Sequence, residues 1–146
     1  MPVKTTTQYS VMVPNEPSQL ARVTQILADA GINIGGIMAT SVGSALWLRF
    51  LAKGHDELKR RLENKGLEVH ESRVLRIDAD PEHDLLDRVT ATLAARGINL
   101  LSCYGHTAHG RSSWVLAVDR PEEAAAALGG LTTIPLAEEA GSLVAA

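Results

Sequence analysis

Apolar residues recur along this chain in two rhythms, and the rhythms alternate. Leu20, Val23, Ile26, Leu27 and Ala30 fall three and four apart, which gives one apolar face to a helix ending near Ala30. Gly31 follows the last turn, where the backbone turns left-handed and glycine does so at little cost. Ile32-Asn33-Ile34 then alternates apolar with polar, the opening of a strand. Sixty-six residues on, the pattern returns: Leu86, Val89 and Leu93 form the stripe, Gly97 ends it, and Ile98-Asn99-Leu100 opens a strand. Between Leu20–Ile34 and Leu86–Leu100, nine of fifteen positions are identical without a gap. Self-similarity at one fixed offset marks a repeated structural unit.

The elements around the repeat fall into the same order twice. Thr5 to Val13 reads as a strand, Pro14 to Ser18 as a turn with Asn15 and Ser18 as helix caps, and Pro17 suits a first helical turn. A strand from Ile32 to about Thr40 holds Gly35 and Gly36, and paired glycines weaken a strand unless a backbone or ligand approaches closely. Val42-Gly43-Ser44 predicts a hairpin into Ala45 to Leu51. A helix over His55 to Asn64, with Asp56/Arg60 and Glu57/Arg61 pairs, ends at Gly66 before a strand over Leu67 to Glu71. The second half reads as a strand over Val74 to Asp78, a helix from Asp80-Pro81 to Arg96, strands over Ile98 to Gly105 and Ser113 to Val118, and a helix over Pro121 to Leu128 stopped by Gly129-Gly130. Thr132 to Leu136 is expected as a last edge strand. The fold class expected is therefore α+β: two tandem ferredoxin-like βαββαβ units, each an antiparallel sheet with its helices on one face, at residues 5–72 and 73–137, with 138–146 as a tail.

Composition narrows the function. The net charge of −3 gives no general attraction for nucleic acid or anionic membrane. The aromatic content of 3% means aliphatic cores, and the single cysteine, Cys103, excludes an internal disulfide and fits a reducing, cytoplasmic setting. The amino terminus lacks a signal-like apolar core, and no apolar run approaches a membrane span. Halves of this size are near the lower limit for independent cores, so packing on each other or on a second chain, as a homo-oligomer and most simply a dimer, is expected.

The stretch VPNEPSQLARVTQILADAGINIGGI, residues 13–37, resembles the ACT-domain family of small βαββαβ modules, and Asp78 to Ser102 resembles it more weakly at its turn. The resemblance implies a non-enzymatic regulatory protein that binds an amino acid, with no cofactor, and that signals through its own oligomer or to an enzyme partner. A regulatory subunit of an amino-acid biosynthetic enzyme, such as acetolactate synthase, is the alternative; a ferredoxin-like enzyme or RNA-binding module is the alternative of another class. The family's glycine after the turn proline is Ser18 in the first copy and Glu82 in the second.

An amino acid offers a carboxylate and an ammonium close together. A helix N-terminus has unpaired N–H groups and partial positive charge, which suit the carboxylate. The site expected comprises Asn15, Glu16, Pro17, Ser18, Gln19 and Leu20 at the turn, with Ile34, Gly35 and Gly36 of the second strand of a neighbouring module. Asn15, Glu16 or strand carbonyls would accept from the ammonium. At the second turn Asp80, Glu82 and Asp84 would repel a carboxylate, so a weaker site or none is expected there. Cys103, Tyr104, His106 and His109 suggest a thiol–imidazole or metal site, but strand alternation sends Cys103 away from His106, so a packed thiol is preferred and neither catalytic nor metal residues are assigned. Lys59, Arg60 and Arg61 alternate with acids and read as a solvated helix face. Trp47 and Trp114 read as equivalent packing residues on their sheets, and Arg22 and Arg88 as solvated or ion-paired.

Overall fold

A computed structural model describes residues 3–52, 57–82 and 84–132 of the chain. The elements are β1 (Val3–Pro14), α1 (Pro17–Asp29), β2 (Ile34–Val42), β3 (Ala45–Ala52), α2 (Leu58–Glu63), β4 (Glu68–Ala79), α3 (Leu85–Ala95), β5 (Leu100–Ala108), β6 (Arg111–Val118) and α4 (Pro121–Thr132). They make an α+β fold of antiparallel strands and helices. The chain divides into two compact units, Thr7–Ser72 and Met1–Thr6 with Arg73–Ala146.

In the unit Thr7–Ser72, the strand order is β2-β3-β1, followed by the first residues of β4. β3 runs antiparallel to both its neighbours, with Leu48 opposite Val11 and Ala39. Alternation puts Tyr9, Val11 and Val13 of β1, Leu48 and Phe50 of β3 and Val69 of β4 on one face, where Val23 and Leu27 of α1 and Leu58 and Leu62 of α2 bury against them. Phe50 and Tyr9 stack at 5.6 Å between centroids inside this otherwise aliphatic core. Gly31 turns the chain out of α1 at φ +68°, and Arg22 donates to the Lys65 carbonyl at 3.1 Å, closing the end of α2. Glu57 pairs with Arg60 rather than with Arg61, which instead donates to the Ala30 carbonyl. His55 and Asp56 lie outside the described residues.

The other unit has the order β4-β6-β5, with Val3–Thr6 of β1 beside β4, where Arg73 donates to the Thr5 hydroxyl at 2.6 Å. Leu75, Ile77 and Ala79 of β4 and Leu116 and Val118 of β6 form the core face. Leu85, Val89 and Leu93 of α3 and Ala124 and Leu128 of α4 bury upon it. Gly97 follows α3 at φ +64°, and Arg120 closes that helix end by donating to the Arg96 carbonyl at 3.0 Å.

Several expectations are corrected. Leu67 to Glu71 and Val74 to Asp78 are not two strands but one, β4, because no turn residue interrupts them. β1 and β4 each give residues to both units, so six strands rather than eight serve them among the described residues. Thr132 ends a helix instead of opening a strand; residues 133–137 and the expected tail, 138–146, lie outside the described residues. Gly129-Gly130 does not stop α4, because the next turn packs Leu131 on the core. That burial offsets a helix penalty of about 1 kcal/mol per glycine. Neither Asn15 nor Ser18 caps α1; Glu16 occupies the cap position without a side-chain cap bond. The helix expected from Asp80-Pro81, α3, starts instead at Leu85. No helix among the described residues is long and apolar enough to cross a membrane.

Candidate functional site

The first turn is open. Asn15, Glu16, Pro17 and Ser18 are exposed, Gln19 is half-buried, and Leu20 is 38% exposed. Backbone bonds from Asn15 to the Ser44 carbonyl and from Glu16 to the Pro14 carbonyl, both 2.8 Å, fix the turn against the β2–β3 hairpin. Pro17 has no N–H and the Gln19 amide donates to the Glu16 carbonyl at 3.0 Å, so Ser18 supplies the remaining N–H of the first three helical positions. That leaves fewer donors for a carboxylate than a full helix end would offer.

The strand half of the expected site is a bulge. The β2–β3 register shifts between Ile34 and Gly36, and the same shift recurs between Leu100 and Ser102 at the repeat offset. The glycine pair thus sits where the ladder is broken and the outer strand is exposed: Ile34 is 40% and Ile37 48% exposed. Ile34 and Gly35 are both exposed, and Gly36 is half-buried on the same strand.

The second turn is built differently. Arg88 pairs with Glu82 and stands 3.6 Å from Asp84, while Arg111 reaches Asp80 at 3.4 Å. The Arg88 and Glu82 side chains keep only 22% and 14% exposure, and the Arg88 Nε is buried without a hydrogen bond. Drawing its carboxylate towards Arg88, Asp84 forms no side-chain cap on α3. A pocket of about 440 Å³ opens here, with Pro81, Glu82 and Leu86 on the loop and helix side and Thr107, Ser112 and Trp114 on the hairpin side.

Trp114 is the residue that the pattern of types misplaced. In the repeat frame it matches Leu48, not Trp47, and it lies on the core face beside Leu116 and Val118. Trp47 faces the other way, with Arg49 5.5 Å over its ring and His70 6.4 Å from it. The signal was available in Gly105, which pairs with Trp114 across the hairpin. A Cβ there would stand 2.6 Å from the indole, so only glycine lets the ring lie across it.

The residues that suggested thiol chemistry are separated. Cys103 is paired with Leu116 and packs on the core, where burial pushes its thiol above the ordinary range. His106, three residues along the strand, points to the opposite face, and His109 sits in the turn at φ 52°.

The chain is similar in structure to protein BT0572 from Bacteroides thetaiotaomicron, with a TM-score of 0.81 and 19% identity over 89% of this chain and 90% of that one. It is similar to the ligand-free regulatory subunit of aspartate kinase from Thermus thermophilus, with a TM-score of 0.63 and 20% identity over 89% and 97% of the chains. The corresponding subunit from Thermus flavus gives 0.61 and 21% over 87% and 92%. No family profile and no curated protein matches the chain in sequence. The likeness establishes the fold, an α+β fold shared with those regulatory subunits and of the class that the sequence resemblance implied.

Proposed function

We propose that this chain is a non-enzymatic sensor, built as two tandem ACT modules (residues 5–72 and 73–137), that binds an amino acid and passes that state on through a homodimer. The single observation that carries the reading is the shared fold over 97% of a separate regulatory subunit, a chain whose whole length is regulatory by its own name. The site is the turn Asn15, Glu16, Pro17, Ser18, Gln19 and Leu20 of one copy, completed by Ile34, Gly35 and Gly36 of a second copy. Supporting it are the exposed Ser18 amide end, the exposed apolar Leu20, Ile34 and Ile37, and the bulge that interrupts the outer strand beside them. The carboxylate would accept from the helix end and the ammonium would donate to Asn15, Glu16 or strand carbonyls. The single thiol supports action in the cytoplasm.

Calorimetric titration with each proteinogenic amino acid tests this, repeated on Glu16→Lys and Gly35→Val. One amino acid is expected to bind, and to lose at least about tenfold affinity in either variant. Unchanged affinity in both removes the site. The likeness to aspartate kinase subunits also favours a second reading, a regulatory subunit of an amino-acid biosynthetic enzyme. Co-purification of the tagged chain with a large catalytic chain distinguishes it from a free-standing sensor.

A further inference from the structure

The pocket at the second turn has the makings of a site of its own, independent of the first turn and complete within one unit. Its floor is apolar: Leu85, Leu86 and Trp114 line it, backed by Ile77, Val89 and Leu116. Its volume of about 440 Å³ lies within the range of small-molecule sites. The indole is not free to collapse into the space. It lies against the bare backbone of Gly105, and Ser112 beneath it is buried and hydrogen-bonded to Thr107 at 2.7 Å. Where the first copy has Leu46 and Leu48 on the hairpin, this copy has Ser112 and Trp114, so volume is withdrawn at one position and a flat ring is offered at the other.

The charge around the pocket selects a sign. Among the described residues of the turn, Asp80, Glu82 and Asp84 stand against Arg88 and Arg111, an excess of one acid. Glu82 itself lines the pocket, while Arg88 and Arg111 do not. A carboxylate entering here meets an acid first; an ammonium meets an acceptor. We propose that this pocket binds an organic amine: a cationic head at Glu82 and a ring-sized apolar body against Trp114 and Leu86. The amine shares Glu82 with Arg88, so binding loosens the Arg88–Glu82 pair without breaking the one to Asp84.

The protein contains two tryptophans, so Trp47→Phe leaves Trp114 as the sole indole reporter. The intact chain carrying that change is titrated with phenethylamine, with phenylacetate as the matched anion and ethylamine as the charge without the ring. Phenethylamine is expected to give a saturable change in emission with a Kd on the order of 1 mM, at least about tenfold below that of phenylacetate, and ethylamine none. Glu82→Gln is expected to abolish the preference for the amine while the emission change remains. Ser112→Leu, which restores the first copy's leucine, is expected to abolish saturation; if it does not fold, Leu86→Phe fills the mouth from an exposed position without adding a second indole. Lys65→Gln, an exposed change outside both turns, is expected to leave the phenethylamine titration unchanged. No saturable response to phenethylamine, an equal response to phenylacetate, or an amine preference that survives Glu82→Gln overturns the proposal.

Discussion

The two helix-start turns descend from one pattern and have become opposite surfaces. The first is exposed, carries one carboxylate, and places proline at the first helical position, so α1 begins at once. In the second, the proline falls two positions earlier in the frame, and the helix waits until Leu85. The intervening loop is tied down by Arg88 through Glu82 and Asp84. Arg22, at the same place in the repeat, makes no ion pair among the described residues and closes a helix end instead. The comparison teaches that the repeat preserves the helix stripe and the glycine stop, because those build the core. It releases the turn, where charge alone decides what can approach.

The largest effects test whether the cores are as alike as the stripes. Leu27 and Leu93 occupy one repeat position and are each 2% exposed. Truncating either to alanine is expected to cost about 2–5 kcal/mol in urea unfolding, and the two costs should agree to within about 1 kcal/mol. A gap of more than about 2 kcal/mol would break the equivalence.

Smaller, and directed at the difference, is Gly105→Ala. The added methyl would stand 2.6 Å from both the Ser113 carbonyl and the Trp114 ring, and neither is a flexible end. A cost of about 1–3 kcal/mol and a shift in tryptophan emission are expected. At the matching position of the first copy, Ala39→Gly faces no such ring and should cost at most about 1 kcal/mol. Equal costs would mean that the Gly105–Trp114 pair does not shape the second pocket.

Next come the paired arginines. Arg88→Ala leaves Glu82 largely buried and unpaired and is expected to cost about 1–3 kcal/mol. Arg22→Ala removes one exposed bond to a carbonyl and should stay below about 1 kcal/mol. Thermal and urea midpoints of both variants measure the ratio; a costlier Arg22 change would reverse the reading of the two turns.

Much of this was legible from spacing alone. The 66-residue offset located both stripes and both glycine stops, and the Gly43 turn fell where the β2–β3 hairpin is found. What escaped was set by tertiary context. β4 runs through both units because nothing in Leu67 to Asp78 breaks it, yet repeat counting assigned a strand to each half. The glycine pair in α4 looks like a stop until Leu131 is seen to have a core to reach. The second pocket escaped for another reason. Matching tryptophan to tryptophan by type overrode the frame, which pairs Trp114 with Leu48 and would have put an indole on the helix side. The three acids of the second turn read as charges that repel a carboxylate, and the ion pair that the sequence allows for Arg88 turns out to be made with two of them.

The smallest effect compares Cys103 with Ile37, its counterpart in the frame. Both lie on outer strands, but Ile37 is 48% exposed, whereas Cys103 is half-buried against the core of its unit. Alkylation needs the thiolate, and burial disfavours that charge, so the Cys103 thiol titrates above its ordinary value. Iodoacetamide is therefore expected to modify Cys103 more slowly than free cysteine near pH 8, with the rate still climbing above the ordinary thiol range. Folding holds this proton more tightly, so the thiol's contribution to stability is present below the unfolded value and fades as pH rises through the folded one. In a Cys103→Ser background, Ile37→Cys should react nearly as fast as free cysteine. If the two sites alkylated at the same rate with the same pH profile, the packing difference between the outer strands would have no chemical consequence, and the asymmetry between the halves would be confined to their turns.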